Sequence, residues 1–272
     1  MSTSRCFQEL PITDTERPDY FLQSLERGLA VLRAFDAEHP DRTLTEAAEA
    51  TGLGKATVRR ILLTFVDLGY MTQRGRRFAL TSRVLDLGFS YLSSLELVGL
   101  AEPHLQALSR ELGESVLLAV LDDTDVRYIA RAVAPRPMHV SVPVGGRSPA
   151  HVTSAGRILL SDMNSKDFEQ YLDNAVFKQY TPWTVTDKQE FQLQVRTAGE
   201  RGWSTSADEL DVGMGGVAVL IPRVHSPSIA LSTVFPATRF DHSALESSVV
   251  NPLRNRAAEI ASSLRGPAQQ SR

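Results

Sequence analysis

Between Thr43 and Leu80 the chain starts a helix, stops it, starts another and turns back on itself, and no other stretch restricts the fold as tightly. Thr43-Leu-Thr-Glu46 fits a capping box, in which the threonine hydroxyl and the glutamate three residues on satisfy each other's free N–H groups. The helix it opens is short, because Gly52 stops it. A second helix is expected from Lys55 to Leu68, with Val58, Leu62 and Phe65 as its apolar stripe and Gly69 as its stop. Tyr70 to Leu80 then reads as a hairpin with its turn at Arg74-Gly75, closed by Thr81. Two short helices joined by a glycine-containing turn and followed by a hairpin spell a winged helix-turn-helix.

The flanking pattern places this motif inside a larger plan. Upstream, Leu25, Leu29, Leu32 and Phe35 recur at helical spacing in Leu22 to Phe35, with Ser24 as the expected N-cap and His39-Pro40 as the stop. Downstream, Ser82 to Leu112 is expected to be largely helical, with Val84, Leu87, Tyr91 and Leu95 on one face and a kink or break near Pro103. Beyond Gly113 the pattern becomes β-rich, with strands expected at Ser115–Leu121, Val126–Val133, Met138–Val144, Gly216–Ile221 and Ile229–Phe235. Helices are expected at Ser154–Met163, Lys166–Tyr171, Asp187–Arg201 and Ser243–Leu264. Strands and helices in this order indicate an α+β fold whose second part is an antiparallel sheet flanked by helices. The expected organisation is a leader over 1–19, a winged helix-turn-helix over 20–82, a linker and dimerisation helix over 83–99, a second domain over 100–266 and a tail over 267–272.

A length of 272 residues suits two domains. Hydrophobic residues at 42% and charged residues at 22% are ordinary globular usage, and no run approaches the ~18 apolar residues of a membrane span. The start, Met1 to Asp19, lacks the apolar core of a secretory signal, so a cytoplasmic protein with no membrane partner is expected. The single cysteine, Cys6, excludes an internal disulfide and any thiolate metal cluster within one chain, and no metal site or cofactor is expected. Net charge is −3, but Lys55 to Arg77 holds six basic residues against one acid, leaving 23 basic and 31 acidic residues elsewhere. An acidic chain with one concentrated basic patch points to a polyanion bound at that patch.

The second helix of the motif carries the chemistry for this. Thr57, Arg60 and Thr64 line one side, Lys55 and Arg59 stand beside them, and the apolar stripe lies opposite. Arginine pairs bidentately with guanine edges while lysine and threonine hold phosphates, so this face suits the major groove of double-stranded DNA. Thr45 and Ala56 complete the expected DNA-facing set on the helices, and Arg74 and Arg76 extend it onto the wing. Arg77 belongs to the set on one reading and is a plain strand charge on the other, because Phe78 beside it is a core candidate.

A second cluster, Gly145-Gly-Arg-Ser-Pro-Ala-His-Val-Thr-Ser-Ala-Gly156, runs from a strand end into a helix start. Free N–H groups and the positive end of the helix dipole suit a carboxylate there, with Arg147, His151, Thr153 and Ser154 as side-chain donors. The alternative is a capped helix with His151 merely hydrogen-bonded. Gly213-Met-Gly-Gly216 precedes an apolar strand, the wrong order for a dinucleotide fingerprint, so it reads as a cavity wall where missing side chains leave room, or as a bulge.

Four stretches in order, Gln23-Ser-Leu-Glu-Arg-Gly-Leu-Ala-Val-Leu, Gly52-Leu-Gly-Lys-Ala-Thr-Val-Arg-Arg60, Pro149-Ala-His-Val-Thr-Ser-Ala-Gly-Arg157 and Asp208-Glu-Leu-Asp-Val-Gly213, resemble the IclR family of bacterial transcription regulators. Leu22–Phe35 and Gly75–Leu92 are most similar to its Pca and Pob branch, which governs breakdown of protocatechuate and 4-hydroxybenzoate through the β-ketoadipate pathway. The resemblance implies a GAF-like effector domain, a homodimer formed through the DNA-binding half, a dimer of dimers on DNA, and a small organic acid effector. It also implies that Ser154, Ala155, Met214, Gly216 and Ser232 line the effector cavity. The branch has an arginine and a serine where this chain has Gly215 and Gly216, which implies room for a bulkier or differently oriented effector.

The leading expectation is therefore a ligand-responsive regulator of aromatic-acid catabolism that binds an operator. The alternative is a regulator of the same type answering to a non-aromatic carboxylate such as glyoxylate or pyruvate. An enzyme is the distant rival, since no His-Glu-x-x-His, P-loop or Gly-x-Ser-x-Gly motif occurs and no catalytic residue stands out.

Overall fold

The computed structural model describes residues 18–36, 38–87, 97–134, 142–222, 227–239 and 244–265. The chain divides into two compact units between Tyr91 and Leu92.

In the first unit α1 spans Gln23–Arg33, β1 Asp41–Thr43, α2 Leu44–Thr51, α3 Lys55–Asp67, β2 Met71–Arg74 and β3 Arg77–Leu80. The capping box forms as expected: the Thr43 hydroxyl accepts from Glu46 N at 3.3 Å and Thr43 N donates to the Glu46 carboxylate at 2.7 Å. Gly52 ends α2 in the left-handed region at φ 66°, which glycine enters without steric cost. Three differences from expectation stand out. The N-cap of α1 is Leu22 with no side-chain hydrogen bond, so Ser24 lies inside the first turn. The hairpin turns on Gly75-Arg76, one residue later than expected, because Arg74 pairs with Arg77 and Gly75 takes the positive φ that opens a two-residue loop. A third strand, β1, joins β3 antiparallel and completes a three-stranded sheet.

Val31, Phe35, Ala47, Ala48, Val58, Leu62, Met71 and Phe78 form this unit's core. Leu25 and Leu29, which share helical spacing with Leu32 and Phe35, are 61% and 43% exposed within the chain. The inward face runs instead through Gly28, where a β-carbon would rest 3.8 Å from the Phe65 ring, to Val31 and Phe35.

The second unit contains α4 Leu97–Leu112, β4 Ser115–Asp122, β5 Asp125–Ala132, β6 Arg147–Pro149, a 3-10 turn over Ala150–Val152, α5 Ser154–Leu160, α6 Ser165–Asn174, α7 Lys188–Arg201, β7 Ser204–Ala207, β8 Met214–Leu220, β9 Ala230–Pro236 and α8 Asn251–Arg265. A π-turn over Glu246–Val250 leads into α8. The six strands form one antiparallel sheet in the order β6-β5-β4-β9-β8-β7. Helix α4 runs through Pro103 to Leu112 without being split. The expected strand at Met138–Val144 falls at 138–141 outside the described residues, and 142–144 are not a strand. Two short strands of this unit, β6 and β7, escape the period-two pattern: β6 sits inside the expected loop, and β7 precedes the loop at 208–213.

Alternation along β4 sorts the two sides of the sheet. Val116, Leu118 and Val120 pack with Leu105, Leu108, Leu253 and Ile260 of α4 and α8, while Leu117 and Ala119 pack with Ile158, Tyr171 and Phe191 of α5, α6 and α7. Helix α5 starts against the 3-10 turn so closely that a β-carbon at Gly156 would stand 2.1 Å from the Ala150 carbonyl oxygen.

Both tryptophans, Trp183 and Trp203, belong to the second unit, so their fluorescence reports on it alone. Gly156→Ala is expected to lower the urea midpoint of that signal by an amount worth about 3 kcal/mol or more, because backbone cannot yield to the added methyl. Thr43→Ala, which removes one half of the capping box, is expected to cost about 1 kcal/mol and to leave the tryptophan transition in place.

Candidate functional site

Two sites emerge. The first is on α3 and the wing. Lys55, Ala56, Arg59, Arg60 and Thr64 are exposed along one side of α3, Thr57 is half-buried at its edge, and Val58 and Leu62 are fully buried opposite. Thr64 returns its hydroxyl to the Arg60 carbonyl at 2.8 Å. Thr45 is exposed on α2, and Arg74 and Arg76 are exposed at the wing tip.

Charge pairing separates the basic residues of this unit. The Arg77 guanidinium donates to Asp41 at 2.5 Å and lies 3.6 Å from Glu46, so it joins β3 to β1 and to the start of α2. Arg42 donates to the Ala34 carbonyl at 2.7 Å, and Arg83 to the Leu68 carbonyl at 3.0 Å. Lys55, Arg59, Arg60, Arg74 and Arg76 form no ion pair with any described residue. The strand reading of Arg77 thus has a named partner, and five exposed cations remain on one helix and one wing.

The second site lies on the α5 side of the sheet. Thr153 caps α5: its hydroxyl accepts from Gly156 N at 3.0 Å and donates to the Ala150 carbonyl at 3.3 Å. The N–H groups of Ser154 and Ala155, in the first turn, have no intrahelical acceptor, and both residues are at most 5% exposed. Across from them a β-carbon at Gly216 would stand 2.9 Å from Ser154 Oγ and 3.5 Å from Ser206 Oγ. Neither hydroxyl has a hydrogen-bond partner among the described residues. Ser232 Oγ, on the same side of β9, reaches the Leu117 carbonyl only at 3.5 Å, the outer limit of a hydrogen bond. Met214 is half-buried at the start of β8. Gly215 serves packing, because the Phe235 ring would lie 2.9 Å from a β-carbon there.

The other donors suggested by sequence are engaged by protein. Arg147 lies on β6, ion-paired to Asp122 at 3.3 Å and Asp125 at 3.2 Å, and donates to the Asp122 carbonyl. Burial pushes the Asp125 carboxyl up and the Arg147 charge opposes that shift. His151 is 2% exposed, bonded through Nε2 to the Lys178 carbonyl at 3.1 Å and enclosed by the rings of Phe177 and Tyr180. Burial holds its pKa below the ordinary histidine value. No group of His, Cys, Asp and Glu among the described residues is arranged to hold a metal ion.

The residue that organises this site is Arg157, which sequence reasoning passed over. Its guanidinium donates to both carboxylate oxygens of Glu209, to the Thr205 carbonyl at 2.9 Å and to the His151 carbonyl at 3.1 Å, all within a region where Arg157 is 2% exposed. Glu209 is presented by a loop in which Asp208 takes φ 60° and its carboxylate accepts from Gly213 N at 2.6 Å. Thr181 and Thr184 fasten the same loop by donating to the Asp208 carbonyl at 2.6 Å and the Glu209 carbonyl at 2.7 Å. One cation therefore fixes α5, β7 and the approach to β8 around the free hydroxyls. Ser206 was also missed; only the register that sets it opposite Gly216 reveals it.

Residues 24–75 match the IclR helix-turn-helix domain, and residues 89–262 match the bacterial transcriptional regulator IclR C-terminal family. The chain belongs to the IclR family. It is 39% identical over 208 residues to the Pca regulon regulatory protein of Pseudomonas putida, covering 76% of this chain and 71% of that one. It is 31% identical over 250 residues to the p-hydroxybenzoate hydroxylase transcriptional activator of Acinetobacter baylyi, covering 90% and 92%. Among solved structures, an IclR homolog from Microbacterium hydrocarbonoxydans complexed with 4-hydroxybenzoate superposes with a TM-score of 0.78 at 25% identity, covering 89% of this chain and 99% of that one. This IclR chain has both the helix-turn-helix and an antiparallel sheet flanked by helices, and no helix among its described residues is long and apolar enough to cross a membrane.

Glu209→Ala leaves the Arg157 charge buried without its partner and is expected to destabilise the second unit by about 3–5 kcal/mol, read from tryptophan-detected urea unfolding. A loss under about 1 kcal/mol would show that the pair contributes no more than a surface bridge.

Proposed function

We propose that this IclR chain is a ligand-responsive, sequence-specific transcription regulator of aromatic-acid catabolism. Residues 20–82 bind double-stranded DNA, residues 83–99 link, and residues 100–266 hold the effector. The observation that carries the reading is the set of unpaired cations, Lys55, Arg59 and Arg60 on α3 with Arg74 and Arg76 on the wing, in a chain of net charge −3. A face built to be neutralised by its own protein would hold acids nearby, as Arg77 does.

The protein acts as a homodimer. Leu22, Leu25 and Leu29 leave an apolar stripe exposed at 67%, 61% and 43% along α1, which a second chain covers. Two recognition helices then meet half-sites about 34 Å apart or a multiple of it. The effector is an aromatic acid of the protocatechuate, 4-hydroxybenzoate or β-ketoadipate pathway, in keeping with what the named relatives regulate and with the 4-hydroxybenzoate held by the structural relative. Its carboxylate sits at the Ser154 and Ala155 N–H groups, and the hydroxyls of Ser154, Ser206 and Ser232 with Met214 surround the rest. Binding shifts the population of conformers that present the recognition helices, so the chain works by binding and not by catalysis.

Arg60→Ala is expected to weaken binding to the operator by about 1–3 kcal/mol and to relax its base preference, whereas Arg76→Ala weakens all duplexes alike and lowers the salt slope by about one. A salt-titrated anisotropy assay separates the two. For the sensor, titration calorimetry with 4-hydroxybenzoate, protocatechuate, β-ketoadipate, glyoxylate and pyruvate is expected to show heat with an aromatic-pathway acid. Gly216→Val, whose side chain would press on Ser154 Oγ and displace it, is expected to abolish that heat while operator binding persists. Heat with glyoxylate or pyruvate alone assigns the chain to a non-aromatic carboxylate instead.

A further inference from the structure

The C-terminal end of α3 is held by two side chains that belong to the segment leaving the first unit. Helix α3 closes at Leu68, and Gly69 follows at φ 81°. Two carbonyls there find donors further along the chain: fifteen residues on, Arg83 Nη1 donates to Leu68 O at 3.0 Å, and twelve residues on, the Thr81 hydroxyl donates to Gly69 O at 2.6 Å. The Arg83 guanidinium also lies over the Tyr70 ring at 5.5 Å, and Thr81 N donates to the Tyr70 carbonyl at 2.9 Å. A positive group at a helix C-terminus meets the negative end of the dipole, so the contact from Arg83 is favourable beyond its hydrogen bond.

The same two residues also start the next helical segment. Thr81 Oγ1 accepts from Arg83 N at 3.3 Å, the Thr81 carbonyl accepts from Val84 N at 3.2 Å, and residues 84–87 are helical. One hydroxyl therefore accepts from the outgoing turn while donating to Gly69, the residue just after α3 closes. Position 69 keeps the joint tight: a β-carbon on Gly69 would stand 3.0 Å from Arg83 Nη1 and would need a positive φ as well.

We infer that Thr81 and Arg83 are positioning residues for DNA recognition, which touch no base and act by locking α3 to the outgoing segment so that the two turn as one body. The inference rests on the DNA-binding reading of α3. It follows that the direction in which the chain leaves the unit sets the angle at which α3 meets a groove. A loosened joint lets α3 reach phosphates in many orientations and base edges in few, so discrimination falls while bulk attraction stays.

The test uses full-length protein, a duplex enriched by the parent chain from a random-sequence pool, and a scrambled duplex of equal length, in a salt-titrated anisotropy assay. The variant Thr81→Val with Arg83→Met is expected to lose at least tenfold in affinity for the enriched duplex. It is expected to bind the scrambled duplex within twofold of the parent, with an unchanged slope of log Kd against log salt. Thr81→Val alone, which keeps shape and charge, shifts discrimination the same way, and Arg83→Lys, which keeps a cationic donor for the Leu68 carbonyl, recovers part of what Arg83→Met loses. Equal weakening on both duplexes with a slope reduced by about one makes Arg83 a phosphate contact and overturns the assignment. Discrimination like the parent's in the double variant overturns it too. A parent chain that enriches no duplex refutes the DNA-binding reading first, before any variant is compared, and the assignment falls with it.

Discussion

The second unit depends on one buried ion pair. Arg157 and Glu209 are taken out of water together, and desolvating two charges is repaid only when geometry and further hydrogen bonds are good. Here the fork of the guanidinium meets both carboxylate oxygens, and two backbone carbonyls take other N–H donors. Those carbonyls belong to His151 and Thr205, and Glu209 rides on the loop that feeds β8. The pair therefore holds three separate chain segments at one point. With that point fixed, the α5 start stands over Gly216, and the hydroxyls of Ser154 and Ser206 converge without partners of their own.

The first unit uses charge by the opposite rule. Its structural arginines are those with acceptors: Arg77 to Asp41, Arg42 to Ala34, Arg83 to Leu68. What remains on α3 and the wing is positive and solvated. A protein whose acids outnumber its bases pays in self-attraction for keeping such a patch open, and the arrangement of acids shows how it stays open. Asp41 and Glu46 are held at the β1 edge of the sheet by Arg77, which directly follows the wing loop. Pairing Arg77 inward keeps these acids occupied beside the patch.

Legibility followed the range of the interaction. The capping box, the glycine stops and the α3 stripe were readable because each is settled within a few residues, and the two long hairpin strands β4 and β5 were readable from continuous apolar runs. Strands β1, β6 and β7 have three or four residues apiece, too few for a period, and exist because β3, β5 and β8 lie alongside. That omission propagated: without β1, Arg77 had no visible partner and its two readings stood level. Arg157 and Glu209 are 52 residues apart, so neither looks like half of a pair in the sequence. The spacing of Leu25 and Leu29 marks an apolar face of α1 without saying what covers it, and within the chain both are exposed. Ser154 and Gly216 follow from family likeness and face each other across the start of α5, while Arg147 and His151 follow from charge chemistry and are tied to Asp122, Asp125 and Lys178.

These two uses of charge have a consequence for how a ligand can act on this fold. Because Arg147 and Arg157 are both held by carboxylates, the polar groups left around Gly216 and the start of α5 are neutral: two backbone N–H groups and the hydroxyls of Ser154, Ser206 and Ser232. A hydrogen bond from a neutral donor contributes about 0.5–1.5 kcal/mol net, and somewhat more when the acceptor is an anion. A ligand shifts a conformational equilibrium only by its difference in affinity for the two states, and a factor of ten requires about 1.4 kcal/mol. One or two such bonds made in one state and missing in the other are enough for a tenfold response, and no ion pair has to be broken to obtain it. The buried pair, held on both sides by further hydrogen bonds, is the strongest contact beside these weaker ones.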